Sequence, residues 1–233
     1  SKKILIILLI ELILLFGYFV LPSIERYFAK NMGNVLLHEP RQIALNKNED
    51  NIILSSYKLN QIIKKEDYKL FTNDNNDRNH IDMNYGVSFW LYLDSEINND
   101  SKEYTIINIS NKPHVTFNPG NNTINVNFTD DNKEVTTLKF GNLKYQTWNH
   151  IVINYITRTV DIFLNNKLVT TMKGVDITSS VTPIVIGQEN SKINGRIVNV
   201  AYYNTPIKQS TIDMIYNNYM AYSRTSYPIS GGI

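Results

Sequence analysis

Between Trp148 and Met172 apolar and polar positions alternate with a period of two. Ile151, Ile153 and Tyr155 alternate with Val152, Asn154 and Ile156, and Val160, Ile162 and Leu164 alternate with Asp161 and Phe163. β-Branched and aromatic residues at that period predict strands. Thr157-Arg158 separates the first run from the second, and Asn165-Asn166 separates the second from residues 167–172. Asparagine tolerates a left-handed backbone, so Asn165-Asn166 predicts a tight hairpin turn. The expected unit is a three-stranded antiparallel meander, whose apolar face needs a second sheet to bury it.

Residues 85–94 alternate most cleanly, with Val87, Phe89, Leu91 and Leu93 on one face and Ser88, Trp90 and Tyr92 on the other. Residues 104–109, 115–117, 123–128 and 135–140 follow as short strands divided by Asn, Pro and Gly; 184–186, ended by Gly187, and 196–203, introduced by Gly195, come after the meander. Many short strands with turn signals between them predict an all-β, two-sheet antiparallel jelly-roll sandwich over residues 51–223. Residues 210–223 carry Ile212, Ile215, Tyr216, Tyr219 and Met220 at helical spacing, which adds a short C-terminal helix, and 224–233 read as an extended tail.

The N-terminus follows another pattern. From Ile4 to Leu21 the chain is almost continuously apolar; at about 1.5 Å per residue a helix there reaches about 27 Å, close to a hydrocarbon core of about 30 Å. Glu11 interrupts it, at a cost of a few kcal/mol unless it protonates or meets a polar group of another membrane protein. Gly17-Tyr18-Phe19 makes a poor cleavage site, so residues 1–22 are expected as an uncleaved transmembrane anchor. Lys2 and Lys3 precede the span while Glu25, Arg26 and Lys30 follow it, which tilts the N-terminus towards the cytoplasm. Residues 23–50 are expected as a juxtamembrane helix (23–32) and stalk, the stretch 34–60 with its apolar runs 35–37 and 52–54 becoming the first strand or two, and 69–82 as a polar loop.

Composition narrows the function. A net charge of +2 with scattered basic residues gives nucleic-acid binding no support. The absence of cysteine excludes disulfides, thiolate metal sites and a cysteine nucleophile, and fits a reducing compartment.

Four blocks in order, YGVSFWLYLD (85–94, with Phe89 and Trp90), TWNHIVINY (147–155, with Trp148 and His150), VDIFLNNKLV (160–169, with Asn165 and Asn166) and the segment 184–207 with Gly187 and Gly195, resemble the laminin G-like, concanavalin A-like lectin/glucanase superfamily. The sequence Leu36-Leu37-His38-Glu39-Pro40 and the asparagine-rich segment from Asn108 to Pro113 are similar to anchored versions of this domain encoded by large cytoplasmic DNA viruses. That likeness implies a structural role in the virion, at the interface of an internal membrane and the capsid.

Glucanase members of the superfamily use paired carboxylates on one strand, and no strand here carries an acid pair at that spacing, so no enzymatic activity is expected. Calcium at the sandwich rim is the family's cofactor option, with Asp130, Asp131 and Asp176 as the loop carboxylates available. His38, His80, His114 and His150 show no i, i+4 pair. The resemblance places His150, Trp90 and Trp148 at packing positions, although either tryptophan is chemically able to stack on a sugar ring. Asn108, Asn121 and Asn127 begin glycosylation sequons. The expected protein is thus a single-pass membrane protein whose sandwich contacts other membrane or capsid proteins; the alternative is a membrane-bound lectin that binds glycans, on a cell-surface or lumenal membrane or in virion attachment.

Overall fold

The computed structural model describes residues 9–12, 15–18, 20, 33–45, 52–54, 69–71, 80–95, 101–180, 182 and 184–226. In chain order the strands are β1 (Asn34–Leu37), β2 (Arg41–Gln42), β3 (Ala44–Leu45), β4 (Ile52–Leu54), β5 (Lys69–Phe71), β6 (His80–Asp82), β7 (Tyr85–Leu93), β8 (Tyr104–Ile109), β9 (His114–Asn118), β10 (Thr123–Thr129), β11 (Val135–Gly141), β12 (Trp148–Ile156), β13 (Thr159–Leu164), β14 (Lys167–Lys173), β15 (Ile184–Ile186), β16 (Gln188–Glu189) and β17 (Gly195–Tyr203). A helix over Gln209–Ser226 follows.

The meander forms as β12, β13 and β14, paired antiparallel. Both of its turns place two successive residues at positive φ, Thr157 and Arg158 in one and Asn165 and Asn166 in the other. Their twist matches that of the flanking strands, which is why two-residue hairpins prefer it. The Asn84 side chain accepts the Thr157 N–H at 2.9 Å and steadies the turn that lacks asparagine.

A seven-stranded sheet runs in the order β1-β17-β7-β12-β13-β14 with β2 also on β17; a six-stranded sheet runs β11-β10-β9-β8-β15-β4. The two inner faces meet in one core. Val87, Phe89, Leu91, Ile151, Ile153 and Ile162 come from one sheet, Val115, Phe117, Ile124, Val126 and Phe128 from the other, and all are buried. Each contributes roughly 1.5–3 kcal/mol by leaving water.

The seven-stranded sheet is covered on its outer face too. Val152, Ala201 and Tyr203 pack with Ile207 and Ile212, joined by Phe163 and Ile215. Asn154 fixes the chain's return across that face: its amide donates to the Ile207 carbonyl at 2.9 Å and its oxygen accepts the Ile207 N–H at 2.8 Å. Consequently β7 is buried along nearly its whole length, including the polar-side positions Ser88 and Trp90.

Two glycines are demanded by geometry. Gly187 has a left-handed backbone (φ +76), with the Ile43 carbonyl 2.5 Å from where a Cβ would stand. At Gly195 a Cβ would lie 2.4 Å from the Tyr92 carbonyl, so only glycine lets β17 approach β7 there.

Several expectations need correcting. Residues 34–45, expected as a stalk that turns into the first strand or two, carry three short strands of the fold: β1 and β2 pair with β17, and β3 pairs with β16. Short runs such as 35–37 carry too few alternations to announce a strand before its partner is known. The stretch expected as a polar loop contains the antiparallel pair β5–β6. The C-terminal helix continues to Ser226, three residues into the expected tail. Of the expected anchor, Leu9–Leu12, Leu15–Tyr18 and Val20 are helical, and Glu11 is exposed, while Ile4 and Leu21 lie outside the described residues. Among the described residues no helix is long and apolar enough to cross a membrane. The helix expected over 23–32 also lies outside them.

Candidate functional site

On the outer face of the seven-stranded sheet, antiparallel register lines up side chains in cross-strand rows. One row is Val198–Trp90–His150 and the next is Arg196–Tyr92–Trp148. The C-terminal helix closes over the first. Trp90 is buried, with its ring 4.0 Å from that of Tyr219, 4.5 Å from His150 and 5.8 Å from Tyr216, all stacked. His150 is buried beside it, with Nε2 2.8 Å from the Ser88 hydroxyl and Nδ1 without a hydrogen-bond partner. Burial pushes the imidazole down to about 3, so it is neutral at physiological pH.

The second row stays half-buried. Trp148 sits 5.3 Å from Tyr92 at 60° and meets Tyr219 edge-on at 6.0 Å. The Arg196 guanidinium lies over the Tyr92 ring at 4.9 Å and reaches Asp94 at 3.3 Å. Backbone bonds from Asp94 N–H to Asn194 O (2.9 Å) and from Gln146 N–H to Leu93 O (2.8 Å) hold the rim that carries these side chains. Aromatic surface, a guanidinium and a carboxylate therefore meet at one end of the sheet. Tryptophan, tyrosine and arginine are the residue types that dominate recognition energetics. The arrangement suits binding: flat stacking surface with a hydrogen-bonding pair at its edge.

The expected site residues are not gathered in one place. Phe89 belongs to the core between the sheets; Trp90 and His150 lie under the helix, and Trp148 on the half-open row. Asn165 serves its hairpin, accepting the His150 N–H at 2.9 Å, and Asn166 receives the Gln209 amide at 2.8 Å, tying the meander to the helix. The sequence places Tyr92 on the same face as Trp90 but gives no sign that Tyr92, Asp94 and Arg196 adjoin Trp148, because only the β17–β7–β12 register makes them neighbours.

The three aspartates considered for calcium are separately engaged. Asp130 accepts the Glu134 N–H within its own turn at 2.8 Å. Asp176 pairs with Arg158 at 2.8 Å. Asp131 accepts from the Thr178 hydroxyl and from the N–H and hydroxyl of Ser179, at 2.9, 2.8 and 3.1 Å. Burial alone would raise the Asp131 carboxyl, but those bonds and nearby Lys112 outweigh it and hold it below the usual carboxylate range. No group of three metal-ligating side chains occurs among the described residues.

Lys112 completes this clasp. It is 2% exposed, and its ammonium donates to the carbonyls of Thr178 at 2.8 Å and Ser180 at 3.0 Å. Burial lowers it to about 8, against the pull of Asp131. Lys112→Met is expected to lower stability by about 1–3 kcal/mol, since it leaves buried carbonyls unanswered. A urea midpoint equal to that of the wild type would show that the clasp carries no stability.

Much of the asparagine-rich segment is likewise occupied with its own loop. The Asn108 side chain accepts the Asn111 N–H at 2.8 Å and donates to the Asn111 side-chain oxygen at 2.9 Å. Leu36 and Leu37 are buried in β1. Of the sequon asparagines, Asn127 accepts the Thr137 hydroxyl on the outer face of the six-stranded sheet, and Asn121 lies exposed in the β9–β10 turn.

A family model described as the concanavalin A-like lectin/glucanases superfamily matches residues 65–213. No curated protein matches the chain. Among solved structures, the receptor binding domain of botulinum neurotoxin D is similar with a TM-score of 0.56 at 17% identity, over 82% of this chain and 54% of that one. The botulinum neurotoxin serotype D binding domain gives 0.52 at 22% identity, over 59% and 37%. The serotype D ligand binding domain in complex with N-acetylneuraminic acid gives 0.51 at 20% identity, over 61% and 38%. The chain thus spans between about a third and about half of the length of these neurotoxin chains, and the likeness is one of fold.

Proposed function

The chain belongs to the concanavalin A-like lectin/glucanases superfamily, and on that footing we propose that it is a membrane-anchored recognition protein without catalytic activity, which binds through the Arg196–Tyr92–Trp148 row. The observation that carries this reading is the half-open row itself, with two aromatic rings, a guanidinium and a carboxylate set on hydrogen-bonded rim segments. The non-catalytic part is supported by how the loop and strand acids are employed. Asp94 and Asp176 are paired with arginines, Asp130 and Asp131 hold loops, and Glu103 and Asp161 accept threonine hydroxyls.

The partner this reading favours is another structural protein, at the junction of a viral internal membrane and its capsid, as the motifs around Leu36 and Asn108 suggest. The apolar run from Ile4 to Leu21 supports a single-pass anchor that would hold the sandwich there. A glycan partner on a cell-surface or lumenal membrane is the second reading. Half-buried Trp148 and Tyr92 support it, as does the fold likeness to a neurotoxin receptor binding domain and to a neurotoxin ligand binding domain in complex with N-acetylneuraminic acid.

A photo-crosslinking amino acid placed at position 148 or, on the other sheet, at 137 in the full chain tests the site. Crosslinks to one neighbouring protein are expected from 148 and few from 137; equal yields from both positions would overturn the assignment. Alkaline extraction of the same membranes is expected to leave the chain in the pellet, and its release would remove the anchor from the account.

A further inference from the structure

We propose that the end of the sandwich carrying Ile156 and Val135 rests on the lipid surface of the membrane that residues 4–21 span, as a second contact beside the anchor. This rests on the single-pass anchor of the proposed function and adds lipid headgroups as a partner of the folded domain.

Strand register shows where the chain arrives. β1 starts beside the end of β17, with Asn34 opposite Tyr202 and Gly33 against the Tyr203 ring. Tyr203 pairs with Gly86 and Gly86 with Asn154, so this entry point lies two residues short of Ile156, the last residue of β12. From there β1 runs away from Ile156, through Leu37 opposite Val200. The chain therefore comes in from the Ile156 end.

The six-stranded sheet brings a second turn to the same end. The Phe128 and Tyr155 rings lie 6.1 Å apart, and the Tyr155 hydroxyl donates to the Val175 carbonyl at 2.8 Å. The Thr178 N–H donates to the Thr129 carbonyl at 2.7 Å, and Thr129 pairs with Val135. The β10–β11 and β12–β13 turns are thus neighbours.

The tether fits this direction. Residues 22–32 join the apolar run to β1, eleven residues that reach about 16 Å as a helix and about 36 Å fully extended. Trp148 stands six residues from Asn154 along β12, about 20 Å beyond the level of entry. A helical tether, the state expected for 23–32, is too short to turn that far end to the bilayer. The Ile156 end needs no detour.

The surface chemistry suits lipid as well. Ile156 is 38% exposed and Val135 59%, with exposed Lys133 and Lys173 and half-buried Arg158 at the same end. Aliphatic tips enter the headgroup layer, while lysine stems lie along it and carry their ammonium groups to phosphates. Asp130, Asp131, Glu134 and Asp176 balance the cations there. A surface of both signs with exposed aliphatics matches a zwitterionic headgroup and gains little from anionic lipid. A weak contact suffices, because the anchor holds the domain at high effective concentration. Arg196, Tyr92 and Trp148 then stand at the far end, away from the bilayer.

The test uses the full chain, which has no cysteine of its own, in phosphatidylcholine vesicles. I156C, V135C and N132C at the near end, and K144C and K192C at the far end, each carry one fluorophore, and a lipid with a nitroxide headgroup quenches it. Quenching at 156, 135 and 132 is expected to exceed that at 144 and 192 by about threefold or more, given the roughly 20 Å between the two levels. Added phosphatidylserine should change it little. A thermal melt of each labelled variant reports whether it folds, and position 132, in an exposed turn, serves should a label at 156 or 135 disturb the core. V135D/I156D labelled at 132 is expected to lose about half of its quenching; an unchanged value would overturn the contact. Equal quenching at both ends, or more at 144 and 192, would overturn the proposal while the chain stays in the vesicles. Release of the chain by alkali would instead remove the anchor, and this contact with it.

Discussion

Trp90→Ala is expected to lower stability by about 3–5 kcal/mol, the range for removing a large buried aromatic. The side chain is 1% exposed and touches two elements at once, stacking on His150 of β12 and on Tyr216 and Tyr219 of the C-terminal helix. Its loss leaves a cavity where the helix crosses the sheet and removes the ring that seats Tyr219 against Trp148. Trp148→Ala, at a half-buried position, is expected to cost a smaller amount, about 1–2 kcal/mol. Urea denaturation of both variants checks this. Equal losses would mean that the two tryptophans share one environment, contrary to the division into a closed and a half-open row.

Acid should destabilise the protein through His150. Its folded value is about 3 against an ordinary 6.5, because burial disfavours the charged imidazolium. In the interval between those values the unfolded chain binds the proton and the folded one does not. Stability from this group is therefore fully present above pH 6.5, declines as pH falls from 6.5 towards 3, and is flat below. Each pH unit in that window costs about 1.4 kcal/mol, so the total loss is on the order of several kcal/mol. Carboxylates also titrate there, so the informative quantity is the wild type compared with His150→Phe, which keeps a ring against Trp90 and carries no titratable group. Chemical denaturation at pH 7, 6, 5 and 4 should show the variant gaining on the wild type as pH falls. Parallel curves would mean that His150 is reached by protons without loss of structure.

Much of the fold could be read directly from the pattern of residues. Period-two alternation located β7, β12 and β13 because every second residue of each, Val87, Phe89, Leu91, Ile151, Ile153, Val160 and Ile162 among them, enters the core between the sheets, and the Asn165-Asn166 pair marked its turn through backbone preference alone. The C-terminal helix was visible as Ile212, Ile215, Tyr216 and Tyr219, which are the residues that pack on the outer sheet face. What escaped the sequence depends on distant partners. β1 and β2 become strands by pairing with β17, more than 150 residues away. The candidate row was illegible for the same reason: Tyr92, Trp148 and Arg196 become neighbours only through register. Lys112 reads as a solvent-facing turn lysine until the 178–180 carbonyls are found above it. The viral likeness of 36–40 and 108–113 rests on residues that the fold itself employs, in an edge strand and a β8–β9 turn.

The central claim is that this sandwich recognises a partner through the half-buried Arg196–Tyr92–Trp148 row on its helix-covered face. Hydroxyl-radical footprinting of the chain in its native membrane assembly and after purification measures this directly, since tryptophan and tyrosine report their own exposure. The account predicts that oxidation of Trp148 and Tyr92 is suppressed in the assembly and rises on purification, while buried Trp90 stays unreactive in both. Equal oxidation of Trp148 and Tyr92 in the two states would contradict it.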